Sequence, residues 1–173
     1  MSYAVIKGEN VHFKMIALEH IYNGWLDWIN EPNLTQYLET SGEISEESLI
    51  NYFKKSQPPE VYMFAVYDNE TEDYIGNARL SSINYEMSDA AYGRLIGNSK
   101  YHGRGFGTEV LKLLSLFAFD ELGLNRIYTG VNSKNLASIK SNLKAGASVE
   151  RIEKIIDELG KTHEVTFFAF TNN

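Results

Sequence analysis

Cysteine is absent from this sequence of 173 residues. Its absence excludes disulfide bonds, thiolate zinc sites and a cysteine nucleophile, so any group transfer by this chain proceeds without a cysteine-bound intermediate. Long apolar runs are missing as well, and none reaches the roughly 18 residues of a membrane-spanning helix. The opening residues, MSYAVIKGEN, lack the apolar core of a signal peptide. We therefore expect a cytoplasmic protein without a membrane partner.

The overall composition is typical of a soluble globular protein, with 43% hydrophobic and 23% charged residues. A chain of this length can bury a substantial core, and we expect residues 1–173 to form a single domain. No composition shift or low-complexity stretch divides it.

The charge of the chain is −7 overall but unevenly distributed. From Arg94 to Lys154, ten Lys and Arg residues stand against five Asp and Glu, whereas the remainder carries six against eighteen. An anionic cofactor beside the basic stretch and a cationic substrate beside the acidic remainder would suit this pattern, and so would solubilising charge that happens to be uneven. The negative total argues against a nucleic-acid partner.

A glycine-dense turn from His102 to Gly107 is the strongest local signal in the sequence. Its three glycines let the backbone approach a ligand closely, and Arg104 adds a positive charge. The spacing of apolar residues after the turn predicts an amphipathic helix, which Thr108 can cap. Free amides at a helix start, together with the helix dipole, favour an anion, phosphate above all. The apolar residues of this helix are Val110, Leu111, Leu114, Phe117 and Ala118.

Two familiar phosphate-binding loops do not fit this turn. The spacing of Gly103, Gly105 and Gly107 is not the GxGxxG of dinucleotide-binding folds, and the turn lies past the middle of the chain rather than after a first strand. The lysine that precedes Ser or Thr in a nucleotide-triphosphate loop is also missing before Thr108.

The turn resembles the acyl-coenzyme A loop of the GNAT acetyltransferases, Gln/Arg-x-x-Gly-x-Gly/Ala at a helix start. Gly105 and Gly107 match the small positions, while His102 replaces the usual Gln or Arg. A second block, from Asn135 to Ile139 and then Lys144-Ala145-Gly146, resembles the N-x-x-S-I…K-x-G-F helix of the same family, with Ala147 in place of Phe. The two blocks stand in the family's order, about thirty residues apart.

Further segments resemble one branch of this family. The run from Trp28 to Pro32, followed by Tyr37, is similar to W-x-N-D-P…R-Y, with Gln36 in place of the basic residue. That branch includes ribosomal-protein N-terminal, polyamine and amino-sugar acetyltransferases. The segments from Tyr74 to Leu80 and from Leu95 to Gly97 look most like acetyltransferases of amino-sugar nucleotide pathways.

The resemblance implies an α/β (α+β) fold: a single mixed, mostly antiparallel sheet of about six to seven strands, with helices on both faces and a splay at the cofactor site. Hydrophobic periodicity independently predicts alternating elements in a compatible order. Ser45 opens a capping box at one of the helices. The predicted strands are Val5–Ile16, Val61–Tyr67, Tyr74–Asn84, Ala90–Gly97, Arg126–Val131, Ser148–Ile156 and Thr162–Thr171, and the predicted helices are Glu19–Ile29, Ser45–Lys55, the helix after the glycine turn and Asn135–Ala145.

The cofactor implied by the resemblance is acetyl-coenzyme A, as co-substrate, and no metal is implied. Its contacts are expected in the strand before the glycine turn, in the turn and in the second helical block. The residues carried over to this role are Leu95, Ile96, Gly97, His102, Gly103, Arg104, Gly105, Phe106, Gly107, Thr108, Asn135, Ser138, Asn142 and Lys144.

Two catalytic roles follow from the resemblance. A backbone N–H near Leu95 or Ile96 would face the thioester oxygen, where such a donor is worth on the order of 3 kcal/mol. Many family members place a tyrosine acid at the position of Asn142, and an amide cannot serve as that acid. Ser138 is the remaining hydroxyl of the motif and would form a hydrogen bond to the sulfur, although it could instead bond a helix carbonyl.

The base and the substrate contacts are less defined by the sequence. Histidine is the residue type best suited to act as a base near neutral pH, so His102 and His163 are candidates. Glu86, Asp89 and a water chain that leads to bulk solvent are the alternatives. Arg79 could pair with a substrate phosphate or form a surface ion pair. Trp25 and Trp28 could pack in the core, and for Trp25 this is the favoured interpretation. The candidate substrate contacts are Trp28, Tyr37, Arg79, Tyr85 and Tyr92.

Together these patterns predict an N-acetyltransferase that transfers acetyl directly to the primary amine of a small molecule. The favoured acceptor is a nucleotide-linked amino sugar, with a polyamine or a protein N-terminus as alternatives. A silent acyl-coenzyme A binding or sensing module is the alternative of another class, because the helix tyrosine is missing. The resemblance also admits a homodimer.

Overall fold

A computed structural model describes residues 6–38 and 42–173 of the chain. Seven strands form one sheet in the order β1-β2-β3-β4-β5-β7-β6. Neighbouring strands are antiparallel except for β4 and β5, which run parallel. The strands are β1 (Val11–Met15), β2 (Tyr62–Asp68), β3 (Tyr74–Asn84), β4 (Asp89–Ile96), β5 (Arg126–Asn132), β6 (Ser148–Ile156) and β7 (Thr162–Thr171). This is the mixed, mostly antiparallel sheet that the sequence predicts.

Helices cover both faces of the sheet. A π-helical segment, Ile21–Trp25, continues into α1 (Leu26–Ile29), and α2 (Pro32–Thr35) and α3 (Glu46–Lys55) follow. The later helices are α4 (Phe106–Leu116), which continues into a π-helical segment at Phe117–Glu121, and α5 (Leu136–Ala145). Among the described residues, no helix is long and apolar enough to cross a membrane.

The side chains of β2 show how the two faces form separate cores. Phe64 and Val66 pack with β1, β3 and α4 on one face. The alternate residues Met63 and Ala65 pack with Trp25 and with residues of α1 and α3 on the other face, which we call the α1–α3 face. Because successive side chains of a strand point to opposite sides, β2 needs apolar residues on both of its faces. Trp25 is 2% exposed, which agrees with the interpretation of this residue as part of the core.

Local signals account for most element boundaries. Ser45 caps α3 by accepting a hydrogen bond from the Ser48 backbone N–H at 3.1 Å, as predicted. The first strand is shorter than predicted and begins at Val11; Val5 lies outside the described residues. The predicted helix from Glu19 to Ile29 is interrupted at Gly24, whose φ of 141° is not helical.

A buried histidine on the α1–α3 face gives a pH prediction. His20 is 3% exposed; its Nδ1 lies 2.9 Å from the Ala17 backbone nitrogen and 3.1 Å from the Ala17 carbonyl oxygen, and its Nε2 lies 2.8 Å from the Tyr67 hydroxyl oxygen. Burial lowers the pKa of His20 below its ordinary 6.5. As the pH falls below about 6.5, His20 of the unfolded chain therefore binds a proton that His20 of the folded chain does not yet bind. This difference lowers the free energy of unfolding by at most about 1.4 kcal/mol per pH unit.

The check is thermal unfolding of the wild type and His20→Gln between about pH 7.5 and 5.5. We expect the wild type to lose more stability than the variant as the pH falls, because glutamine does not titrate. Equal pH slopes in the two proteins would contradict the assignment.

Candidate functional site

The sheet opens between β4 and β5. These parallel strands pair only at Asp89↔Arg126, Ala90↔Ile127 and Ala91↔Tyr128, and then diverge. Arg126 strengthens the paired end, where its guanidinium contacts the Asp89 carboxylate at 3.2 Å. Beyond this end, residues 92–96 of β4 and 129–132 of β5 face a gap. This is the predicted splay.

Register decides which backbone groups of β4 face the gap. Ile96 lies opposite Gly76, and the bond across β3 and β4 at this point runs from Gly97 N–H to the Ile75 carbonyl at 2.9 Å. This pattern marks Gly76↔Ile96 as a non-hydrogen-bonded pair, so the Ile96 N–H and carbonyl point away from β3. By the same alternation, the backbone N–H and carbonyl of Arg94 point into the gap, whereas the backbone N–H and carbonyl of Leu95 point toward β3.

A cavity of about 950 Å³ occupies this gap and extends over the starts of α4 and α5. It is lined on one side by the unpaired part of β4 and the glycine turn, and on the other by β5 and α5. Residues of α2 and of the segment after it also line the cavity. The predicted cofactor contacts that line it are Leu95, Ile96, His102, Gly103, Gly105, Phe106, Gly107, Thr108, Asn135, Ser138, Asn142 and Lys144, and the predicted substrate contacts that line it are Tyr37 and Tyr92.

The glycine turn presents open backbone to this cavity. Gly103 and Gly105 have φ of 70° and 84°, a left-handed conformation that favours glycine. A Cβ built on either would meet no atom of the described residues within 4 Å. The turn therefore leaves space beside its backbone that a ligand can occupy.

The start of α4 differs from the sequence prediction in one respect. The N-cap is Gly105, not Thr108, because the Gly105 carbonyl already accepts from the Glu109 N–H at 3.1 Å. Thr108 lies in the first helical turn. The free N–H groups of this turn remain at the cavity.

His102 joins the glycine turn to the end of β4. Its Nε2 lies 2.6 Å from the Ile96 carbonyl oxygen. A carbonyl can only accept, so Nε2 carries the proton of this bond. The Ile96 carbonyl thus accepts a hydrogen bond from His102, while the Ile96 N–H makes no hydrogen bond to β3.

The charge of the cavity lining is positive. Four cationic residues, Arg94, Lys134, Lys140 and Lys144, line it, and among the described lining residues there is no carboxylate. Arg94 donates to the Gly107 carbonyl at 3.0 Å and to the Ser141 hydroxyl. Burial lowers the pKa of Arg94 below its ordinary value. Four cations in one lining favour a polyanionic ligand.

A buried polar chain connects β4 to α5 within the same lining. The Tyr92 hydroxyl donates to Asn142 Oδ1 at 2.6 Å. Asn142 Nδ2 in turn donates to the Ser138 carbonyl at 2.9 Å and lies 3.4 Å from Ser138 Oγ. Burial raises the pKa of Tyr92 above its ordinary 10.0, so the phenol keeps its proton.

Two of the predicted cofactor contacts do not line the cavity. Gly97 packs behind the end of β4, where a Cβ would overlap the Trp28 ring. Arg104 lies over the rings of Tyr101 and Phe106, with centroid distances of 5.5 and 5.1 Å.

Three predicted substrate contacts also lie outside it. Trp28 packs against Tyr74, with ring centroids 4.8 Å apart. Arg79 lies over the Tyr52 ring on the α1–α3 face of the sheet, and no ion pair of its guanidinium is found within the described part of the chain. Tyr85 is 57% exposed in the turn after β3. Their substrate roles stay predictions.

Of the four candidate bases, His102 is the one that lines the cavity. Asp89 pairs with Arg126 at the far end of β4, and His163 contacts Asp157 at 2.6 Å in the β6–β7 hairpin. Glu86 lies in the turn after β3. The identity of the base stays open.

Sequence reasoning missed several lining residues. Arg94 follows Tyr92 by two positions on one strand, and Ser141 follows Ser138 by one helical turn. Both spacings place a side chain on the same face as a residue already singled out. Lys134 and Lys140 could have been found from the basic charge around the second motif.

Comparisons with known proteins agree with this architecture. The family described as Acetyltransferase (GNAT) domain matches residues 13–148. "Probable N-acetyltransferase YjcK" from Bacillus subtilis (strain 168) is 29% identical over 112 residues, which span 65% of this chain and 62% of that protein. An acetyltransferase (GNAT family) structure from Bacillus anthracis has a TM-score of 0.84 at 18% identity, covering 96% of this chain and 98% of that one.

A third similar protein was solved with ligands. Spermidine N-acetyltransferase from Vibrio cholerae, in complex with CoA and spermine, has a TM-score of 0.80 at 20% identity and covers 95% of this chain and 96% of its own. At such identities the solved structures establish the fold alone.

Proposed function

Because this chain belongs to the GNAT acetyltransferase family, we propose that it is an acetyl-coenzyme A-dependent N-acetyltransferase. The acetyl group passes directly to the primary amine of a small molecule. The observation that carries this proposal is the meeting of an unpaired strand edge, a left-handed glycine turn and a cationic lining in one cavity.

The cavity fits the parts of acetyl-coenzyme A. The amides of the glycine turn and the α4 start suit a pyrophosphate, and the lysines of the α5 region add positive charge. The unpaired edge of β4 suits an amide-containing arm, which can add to a strand through backbone hydrogen bonds. When bound, this co-substrate supplies an activated acetyl thioester.

The chemistry expected of the chain itself is positioning and charge stabilisation. The Ile96 N–H points into the gap and is the donor we assign to the thioester oxygen, rather than that of Leu95. The Ser138 hydroxyl is the group we assign to the sulfur. Since the chain has no cysteine, the amine attacks the thioester directly.

The favoured acceptor is a nucleotide-linked amino sugar. Its diphosphate would add negative charge, which suits a lining of four cations without a carboxylate among its described members. A polyamine is the alternative suggested by the spermidine acetyltransferase of similar fold, and a protein N-terminus is another. The silent binding module needs the same cavity but no acceptor.

The test is release of coenzyme A thiol from acetyl-coenzyme A in the presence of an acceptor panel. The panel contains a nucleotide-linked amino sugar, the same sugar without the nucleotide, spermidine and a peptide with a free N-terminus. We expect turnover of the first, and about a tenfold or greater rise in KM when the nucleotide is removed, since charge-assisted contacts are worth about 1.5 kcal/mol or more.

Other results would overturn parts of the proposal. Turnover of spermidine alone would exclude the sugar acceptor. Tight coenzyme A binding without thiol release for any amine would favour the binding module.

A further inference from the structure

The polar chain on the α5 side of the cavity has one fixed direction. The Ser138 carbonyl is an acceptor only, so the Asn142 amide must turn its nitrogen toward it, at 2.9 Å. The amide oxygen then faces Tyr92, whose hydroxyl must donate, at 2.6 Å. No flipped arrangement of the amide satisfies both neighbours.

The same orientation constrains the Ser138 hydroxyl. The Asn142 nitrogen also lies 3.4 Å from Ser138 Oγ, so the serine oxygen faces a donor. Within residues 6–38 and 42–173, no acceptor inside the protein is found for the Ser138 hydroxyl hydrogen, including the helix carbonyls considered from the sequence. Because Ser138 lines the cavity, its hydrogen is left to point there.

We propose that Tyr92 and Asn142 are positioning residues that hold the Ser138 hydroxyl as a donor toward the thioester sulfur. This inference rests on the proposed function. A tyrosine on the strand thereby takes part in the site although the helix carries asparagine at the position of the family tyrosine. Asn142 is 2% exposed and Tyr92 6% exposed, so the link between them is shielded from water.

The chemical role is confined to hydrogen bonding. When the amine forms its bond to the acetyl carbon, the carbon–sulfur bond breaks and the sulfur takes the electron pair. The Ser138 hydroxyl donates a hydrogen bond to that sulfur, and the proton lost by the attacking amine goes to solvent or to the unassigned base. Tyr92 transfers no proton, since its hydrogen is directed to Asn142 and its raised pKa makes it a weak acid.

Steady-state kinetics of three single variants and one double variant test the link. Ser138→Ala should lower kcat about tenfold with little change in KM for acetyl-coenzyme A, since hydrogen bonds to charged groups are worth about 1.5 kcal/mol or more. Tyr92→Phe keeps the ring but lacks the hydroxyl, and it should also lower kcat. Ser138→Thr keeps a hydroxyl and should therefore have a kcat close to that of the wild type. The double variant Tyr92→Phe/Ser138→Ala should be no slower than Ser138→Ala, because residues acting through one another are not additive.

A binding measurement tests the hydrogen bond to the sulfur separately from turnover. Calorimetric Kd values for coenzyme A and for desulfo-coenzyme A, in which hydrogen replaces the thiol, should differ by about fivefold in the wild type. The ratio should fall toward one in Ser138→Ala and in Tyr92→Phe. Tyr128→Phe is the matched control. It also removes a tyrosine hydroxyl, but Tyr128 lies on β5 outside the cavity lining.

The outcomes separate this inference from the proposed function. An active wild type with unchanged kcat and sulfur preference in Tyr92→Phe would overturn the inference alone, as would additive losses in the double variant. A wild type that binds no coenzyme A would overturn the proposed function and the inference with it. If Tyr92→Phe does not fold, Asn142→Leu removes the same link from the helix side, and the same readouts apply.

Discussion

Replacing Gly105 with valine should weaken acetyl-coenzyme A binding by about 100-fold or more, equivalent to about 2.7 kcal/mol, while the protein remains folded. Within the part of the chain that the structure describes, the Cβ of a side chain at this position meets no atom within 4 Å, and the glycine turn to which it belongs lines the cavity. The new side chain would therefore take the space into which a pyrophosphate must fit to reach the turn amides. Calorimetric titration measures the change directly.

Gly123→Val is the matched control for this prediction. Gly123 has φ of 67°, close to the 84° of Gly105, and its Cβ also meets no described residue within 4 Å. Gly123 does not line the cavity. Both variants carry a similar left-handed backbone penalty of about 1–2 kcal/mol. We expect similar thermal destabilisation in the two, with affinity lost only in Gly105→Val. Full affinity in a folded Gly105→Val protein would show that this turn does not hold the cofactor.

Replacing Gly76 with alanine should destabilise the fold by about 3 kcal/mol or more. An added Cβ would lie 2.1 Å from the Leu95 carbonyl oxygen and 3.0 Å from the Ile96 Cα. These are backbone atoms of β4, so relief requires displacement of the strand at the point where it borders the gap. Chemical denaturation gives the loss in unfolding free energy.

Gly93→Ala provides the comparison for stability. Gly93 lies on β4, opposite Arg79 of β3, and its Cβ would meet no atom within 4 Å among residues 6–38 and 42–173. We expect its unfolding free energy to stay within about 0.5 kcal/mol of the wild type. A Gly76→Ala protein as stable as Gly93→Ala would mean that β3 and β4 are not packed as described.

The sequence predicted those parts of the fold whose signals are local. The long strands Tyr74–Asn84, Ser148–Ile156 and Thr162–Thr171 were predicted with their observed bounds, because turn-forming residues flank each of them. The helix across Gly24 and the cap at Thr108 were wrong. In both places a glycine with positive φ, Gly24 or Gly105, changed the backbone path in a way that residue type alone does not reveal.

The polar parts of the candidate site depended on register, which the sequence does not contain. Tyr92 and Asn142 are fifty positions apart, and their contact exists only because β4 and α5 pack side by side. Arg79 illustrates the converse. Both faces of β3 are covered, so alternation could not indicate that its side chain lies on the α1–α3 face, away from the glycine turn.

The short β4–β5 pairing divides the sheet mechanically. Strands β1–β4 form one sub-sheet and strands β5–β7 another, and their shared edge is three residue pairs at one end. Small relative rotations about that end would change the width of the gap more than they would disturb either sub-sheet, whose internal pairings are much longer. A molecule that forms hydrogen bonds to both edges acts as a cross-link between the two sub-sheets. Occupancy of the gap and rigidity of the whole sheet are therefore coupled, and each favours the other.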